Sequence, residues 1–321
     1  VSKLPALIED LAGHGLLPAD PQSGEFPIVV GTHPHDDHIG GMPQFLERFG
    51  RNISEYWDCG YYHPTSAYLE TMVQLEDLRK SLIVTQPTSG MVRYLGTVKI
   101  TALAPGVGLR TRFDTFGVNI NDASIALKLE FPATRIVQRG PNRAYKRPAA
   151  PWRLLLGADA QTMSWAQAAV DFPQLLAEGQ LRSTLRDQMG PDPLQAQIFK
   201  VPHHASKHGV NVELVERVEP DFCLISSVGG AGRYNFPHHL AVESLREGVE
   251  ETTSGQARSP DYDLTLLYTS DLVSSPGGDD PLGSIALIVP PQRGADVSVW
   301  RFQDAPRDGI DLTNALRFIV A

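Results

Sequence analysis

Four potential metal ligands fall within six consecutive residues, His33-Pro34-His35-Asp36-Asp37-His38, in the spacing H-x-H-x-D-H. Imidazole and carboxylate donors together suit Zn²⁺, Mn²⁺ or Fe. Without a cation, so many ionisable groups in one short loop would repel each other or stay unsatisfied. His33, His35, Asp37 and His38 are therefore read as metal ligands.

Other donors follow the same rule of placement, each just beyond an apolar run. Asp159 follows Leu154-Leu155-Leu156-Gly157-Ala158, His203 and His204 follow Ile198–Val201 and Pro202, and His238 and His239 follow a glycine-rich stretch. Donors at strand ends converge on one edge of a sheet, a common place for active sites. Asp159 reads as a carboxylate shared by two metals or as a helix N-cap. One of His203 and His204 reads as a ligand, the other as a neighbour of the metals or a substrate contact. His238 and His239 read equally as substrate contacts or structure. His14 and His208 read as surface residues, and His63, beside Tyr61 and Tyr62, as an ordinary loop residue or a pocket wall.

The elements that must position these groups follow from hydrophobic period. Residues 3–12 read as an amphipathic helix stopped by Gly13 and Gly15. Phe26–Val30 reads as a buried strand feeding the ligand loop, followed by a helix to about Arg48. Ile53–Asp58 is a strand, 65–82 a helix, and Val92–Thr101 and Ser124–Phe131 strands. Arg153–Leu156 is a short strand, and 162–186 is helical with a break at Pro173. Ile198–Val201, Asp221–Ser226, Leu264–Thr269, Ser284–Val289 and Val297–Phe302 complete the strands. Strands with interspersed helices predict α/β layers.

The 321 residues (net charge −9, 42% hydrophobic) read as one domain over 1–321. Residues 132–150 form a basic loop insertion with Arg135, Arg139, Arg143, Lys146 and Arg147, read as solvated or as a phosphate contact. The acidic balance argues against a general nucleic-acid or anionic-membrane coat. No run approaches the ~20 apolar residues of a membrane span, and no signal peptide is visible, so the cytoplasm is the default expectation. Cys59 and Cys223 read as buried thiols rather than a disulfide.

Taken in order, these motifs resemble the metallo-β-lactamase superfamily, and within it the nuclease-like domain of the ComEC/Rec2 competence proteins. The resemblance rests on the H-x-H-x-D-H loop, Asn121-Asp122-Ala123-Ser124-Ile125-Ala126-Leu127, Gly157-Ala158-Asp159, Lys200-Val201-Pro202-His203-His204-Ala205-Ser206-Lys207, and Gly232-Arg233-Tyr234-Asn235-Phe236-Pro237-His238-His239. It runs from about residue 20 to 290. It implies a four-layer αββα sandwich with the site at its edge. The short, helical lead-in before the ligand loop implies that the first N-terminal strands are missing or reduced.

The resemblance further implies two divalent ions, Zn or Mn. His33 and His35 would hold one, Asp37 and His38 the other, with Asp159 bridging and His204 as the last ligand, or His203 in its place. This chain departs from the family at Ala205, where a glycine is usual, and at Phe236, where a histidine is usual. The middle histidine of many members is absent, and the Asn121–Ser124 turn takes its place.

The implied activity is metal-dependent hydrolysis of a phosphodiester, small or nucleic-acid, with Asp37 and Asp159 catalytic. Asp37 would serve as a ligand or orient the attacking water. His203, Ser206, Lys207, Arg233, Tyr234 and His238 are the expected substrate contacts. Other expectations on the same residues are a hydrolase of an amide, lactone or thioester, an iron oxidoreductase, and a degenerate metal-binding module.

Overall fold

A computed structural model describes residues 4–13, 25–110, 119–131, 137–139, 144–146, 152–172, 192–227, 234–250, 265–270 and the C-terminal strands named below. The fold is mixed α/β. Helix α1 (Leu4–Gly13) precedes a sheet of three parallel strands, β1 (Phe26–Gly31), β2 (Ile53–Asp58) and β3 (Ile83–Thr85), in that order. Parallel neighbours need crossovers. These are α2 (Asp36–Ile39) with α3 (Met42–Phe49), and then α4 (Ser66–Leu78).

Thr65 caps α4, its hydroxyl accepting from the Tyr68 N–H at 3.4 Å. The helix stops at Leu78, short of the predicted 82, because the β-branched run Ile83-Val84-Thr85 pairs with β2 instead. The predicted single strand from Val92 is a hairpin of β4 (Val92–Leu95) and β5 (Val98–Ala104). Its turn is made by Gly96 at φ +58°, a left-handed conformation that glycine adopts without penalty.

The second sheet has seven strands. After β5 come the single turn α5 (Val107–Arg110), a 3₁₀ turn Ile120–Ala123 and β6 (Ala126–Glu130). The rest are β7 (Arg153–Leu156), β8 (Ile198–Lys200), β9 (Phe222–Ile225) and β10 (Thr265–Tyr268), joined by α6 (Thr162–Asp171), α7 (Val212–Val218) and α8 (His239–Glu250). The order is β10-β9-β8-β7-β6-β5-β4. Strands β7 to β10 are mutually parallel, and β4 to β7 pair antiparallel.

Side-chain alternation sorts the core into separate clusters. Met42, Phe45, Phe49, Tyr56, Tyr68 and Leu75 join the helices to the first sheet. Trp57, Ile100, Ala102, Ile125 and Leu127, with Ile28 and Val30, join the first sheet to the second. Leu103, Leu155, Phe199, Cys223, Trp165, Val215 and Leu245 join the second sheet to α6, α7 and α8. Tyr56 and Trp57 are chain neighbours in different clusters, as a strand with two covered faces requires.

Of the predicted basic insertion, Val137–Arg139 pairs with Ala144–Lys146 as a hairpin, and the remainder lies outside the described residues. The C-terminal region pairs Leu272–Ser275 with Gly278–Pro281 and Asp304–Ala305 with Gly309–Ile310, and Val297–Phe302 lies between Ser284–Ile288 and Leu316–Val320. Cys59 and Cys223 are both buried and form no disulfide. Among the described residues, no helix is long and apolar enough to cross a membrane.

Candidate metal centre

Register explains why distant donors meet. In β7, β8 and β9, Leu156 aligns with Lys200 and Lys200 with Leu224, so the loops that follow leave the sheet at one edge. Asp159 lies in the first of these loops, and His203 and His204 in the second. The two are tied by Gly157 N–H to Lys200 C=O at 3.2 Å and His203 N–H to Ala158 C=O at 2.9 Å. Gly157 permits this approach: a Cβ there would meet the Pro202 Cβ at 2.8 Å. The loop after β1 joins the same edge, where Ile125 N–H donates to Thr32 C=O at 2.9 Å.

Within that edge the donors form two groups around one carboxylate. His33, His35 and Asp159 have ligand atoms within 4.8 Å of one another, and so do Asp37, His38, Asp159 and His204. Asp159 Oδ2 lies 3.7 Å from His33 Nε2 and 3.8 Å from His203 Nε2, whereas Oδ1 lies 3.2 Å from His38 Nε2. Asp37 Oδ2 lies 3.5 Å from His204 Nε2 and 3.8 Å from His38 Nε2. Asp159 is almost wholly buried, while the Asp37 side chain is 62% exposed, so Asp37 stands at the mouth.

The surroundings orient these rings. Thr32 Oγ1 lies 3.3 Å from His33 Nδ1 and 3.5 Å from His38 Nδ1, which engages both Nδ1 atoms and turns both Nε2 atoms inward. His204 Nδ1 meets the Ser226 C=O at 2.9 Å, leaving Nε2 for the site. His203, His204 and Ala205 have φ of 48°, 54° and 61° in succession. Left-handed backbone costs an L-residue about 1–2 kcal/mol. It persists here in a turn hydrogen-bonded to both its neighbours, through His203 N–H to Ala158 and His238 N–H to Ala205 C=O.

The donor set fits a cation. His33 Nε2 and His38 Nε2 are buried and make no hydrogen bond, although each lies close to a carboxylate oxygen. Such orphaned imidazole nitrogens are costly unless something else occupies them. Burial, then the neighbouring His38, pushes the His33 pKa down to about 3, so the ring is neutral and able to ligate. Burial and His63 lower His35, and burial also lowers His203. Burial would raise Asp159, but the contact with His38 and the charges of His38, His33 and His203 outweigh it and hold the carboxyl low. The close approach of His204 holds Asp37 well below the usual carboxylate range, and Asp37 raises His204 in turn.

The other expected contacts are placed unevenly. Ser206 is buried, with its hydroxyl accepting from His208 N–H at 3.3 Å, and Lys207 is exposed on the same loop. Tyr234 is 66% exposed and stacks on Phe236 at 5.8 Å, which stacks on His204 at 5.8 Å. Phe236 thus extends the site as a flat face. His238 Nδ1 accepts from Leu240 N–H at 3.2 Å, at the start of α8. Arg233 and His14 lie outside the described residues. The N-cap of α6 is Gln161 rather than Asp159. His63 packs edge-on against His35 at 5.1 Å.

Thr32, Asn119 and Gln161 act on the site without any signal in their own residue types. Only adjacency to the donor-bearing turns hints at Thr32, one residue before His33, and at Gln161, two after Asp159; Asn119 has no such neighbour.

No protein-family model and no curated protein matches the chain. Among solved structures it is similar to CmlA, a diiron beta-hydroxylase from Streptomyces venezuelae, at 14% identity and a TM-score of 0.34, over 73% of this chain and 43% of that one. A mutant of the CmlA beta-hydroxylase gives 12% identity and 0.35, over 76% and 43%. The chain thus spans less than half the length of either, and overlaps this loose leave the chemistry to the residues themselves.

Proposed function

We propose that this chain is a metal-dependent hydrolase with a dinuclear Zn or Mn centre that cleaves a phosphodiester. The observation that carries the reading is the pair of donor groups sharing Asp159. Helices on a sheet, a second sheet and further helices follow one another through the core clusters, which supports the αββα sandwich of the metallo-β-lactamase type. The ordered motifs support the competence-type branch.

In this reading His33, His35 and Asp159 would hold one ion, and Asp37, His38, His204 and Asp159 the other. Bound there, the ions would lower the pKa of water toward neutrality and place positive charge beside the scissile group. Asp159 keeps the donor groups in one frame, and Asp37, at the mouth, holds or orients the water. Water attacks phosphorus, the P–O bond to one alcohol breaks, and that alcohol leaves with a proton. Lys207 and Arg233 attract the anionic substrate, Ser206 shapes the turn beneath it, and Tyr234, Phe236 and His238 form its far wall.

The test is a hydrolysis panel on metal-loaded protein. Turnover of bis-p-nitrophenyl phosphate, lost in His35→Ala, is the expected result. Turnover of a lactam, lactone or thioester alone would replace the substrate class. Iron as the metal retained through purification, with no hydrolysis, would replace the reaction.

A further inference from the structure

The two adjacent histidines of the Pro202–Ser206 turn differ in what their Nδ1 atoms meet, and on the His203 side the partner is set by a chain of hydrogen bonds with fixed polarity. It begins at a backbone donor. Asn121 N–H donates to Asn119 Oδ1 at 3.1 Å, which fixes the other Asn119 atom as the amide nitrogen. Asn119 Nδ2 donates to Gln161 Oε1 at 2.8 Å, which fixes Gln161 in turn. Gln161 Nε2 then meets His203 Nδ1 at 2.9 Å. An amide nitrogen only donates, so His203 Nδ1 accepts, and the proton of a neutral His203 ring sits on Nε2.

His204 is the reverse. Its Nδ1 faces the Ser226 carbonyl, which only accepts, so Nδ1 carries the proton and Nε2 offers a lone pair. A protonated Nε2 cannot ligate a metal, whereas a bare one can. His203 Nε2 is 3.8 Å from Asp159 Oδ2, beyond hydrogen-bond range, and the His203 side chain is 17% exposed.

We propose that His203 is a hydrogen-bond donor to an anionic oxygen of the substrate rather than a metal ligand, and that Asn119 and Gln161 are positioning residues that hold its proton on Nε2. The proposal rests on the hydrolase reading for its substrate, but the tautomer itself does not depend on a metal. It also gives a task to the turn that replaces the middle histidine. Asn121 starts the relay with its backbone, so a turn that supplies no imidazole ligand sets the state of another imidazole.

The test is ¹⁵N-histidine NMR of the protein before and after zinc loading, paired with kinetics on bis-p-nitrophenyl phosphate. His203 is expected to carry its proton on Nε2 in both states, while His204 Nε2 shifts on zinc addition. Gln161→Glu replaces the donor with an acceptor of the same shape, so the His203 proton should move to Nδ1. Zinc content should hold, and kcat should fall about a hundredfold, the usual cost of one such donor. His203→Gln, which keeps an N–H, should retain more kcat than His203→Leu at equal zinc content. That comparison stands if Gln161→Glu does not fold.

A zinc-induced shift of His203 Nε2, or an Nδ1 proton in the metal-free protein, overturns the proposal. So does equal kcat in the two His203 variants. If zinc moves no histidine signal, the metal reading fails alone, and the metal-free tautomer still decides this one.

Discussion

His38 Nε2 lies 3.2 Å from Asp159 Oδ1 without a hydrogen bond between them. A buried imidazole nitrogen that close to a buried carboxylate, yet without a hydrogen bond, marks a space that both groups face. His38 lies in α2, just after β1 of the first sheet, and Asp159 in the loop after β7 of the second, so the site fills the junction of the two.

Thr32 is the test of orientation. Thr32→Val keeps the shape but removes the oxygen between His33 Nδ1 and His38 Nδ1. Metal affinity should drop about 10- to 100-fold, the usual cost of losing a partner behind a ligating histidine. Competition with a chromogenic chelator measures it. Unchanged affinity would mean that the rings are held by packing alone.

Strain at the turn should show in stability. Ala205 is fully buried at φ 61°, whereas Ala168 is fully buried inside α6. Glycine at 205 relieves left-handed strain, which offsets the lost methyl, but glycine at 168 loses both methyl and helix propensity. Ala205→Gly should therefore cost about 1–2 kcal/mol less than Ala168→Gly in urea denaturation. Equal costs would show that the turn is unstrained.

Lys128 predicts a pH dependence. The side chain is 4% exposed and donates to Pro193 C=O at 2.5 Å, and burial pushes its pKa down from 10.5 to about 8. Below about 8 both folded and unfolded chains hold the proton, and the fold bears the full burial cost. Between about 8 and 10.5 only the unfolded chain binds it, so the contribution to stability rises with pH. The stability of Lys128→Met relative to wild type should fall by roughly 3 kcal/mol across that window. A flat difference would contradict the burial argument.

Tyr234 and Phe236 offer a flat face beside His204. Tyr234→Ala should raise KM several-fold for a phosphodiester bearing an aromatic ring and leave kcat near wild type. The change for a purely aliphatic diester should be small. Equal effects on both would remove stacking from the account.

The convergence of the donors was legible because chemistry and spacing coincide. His33, His35, Asp37 and His38 fall within six consecutive residues, and Asp159 and His204 follow apolar runs that become parallel neighbours. The two groups could be anticipated only through the family resemblance, since nothing in the residue order says which oxygen of Asp159 faces which ring. The hairpin at Gly96 and the end of α4 at Leu78 were misread because local period continues through both, and strand pairing decides them. The relay through Asn119 and Gln161 was invisible because hydrogen bonds between sequence-distant loops leave no local pattern.

Asp159 as the shared donor is the central claim, and calorimetric zinc titration of wild type against Asp159→Ala tests it most directly. The account predicts two zinc ions per wild-type chain and simultaneous weakening of both in Asp159→Ala, with the fold intact by circular dichroism. Loss of one ion with the other bound at wild-type affinity, or a wild-type chain that takes up only one, would contradict it.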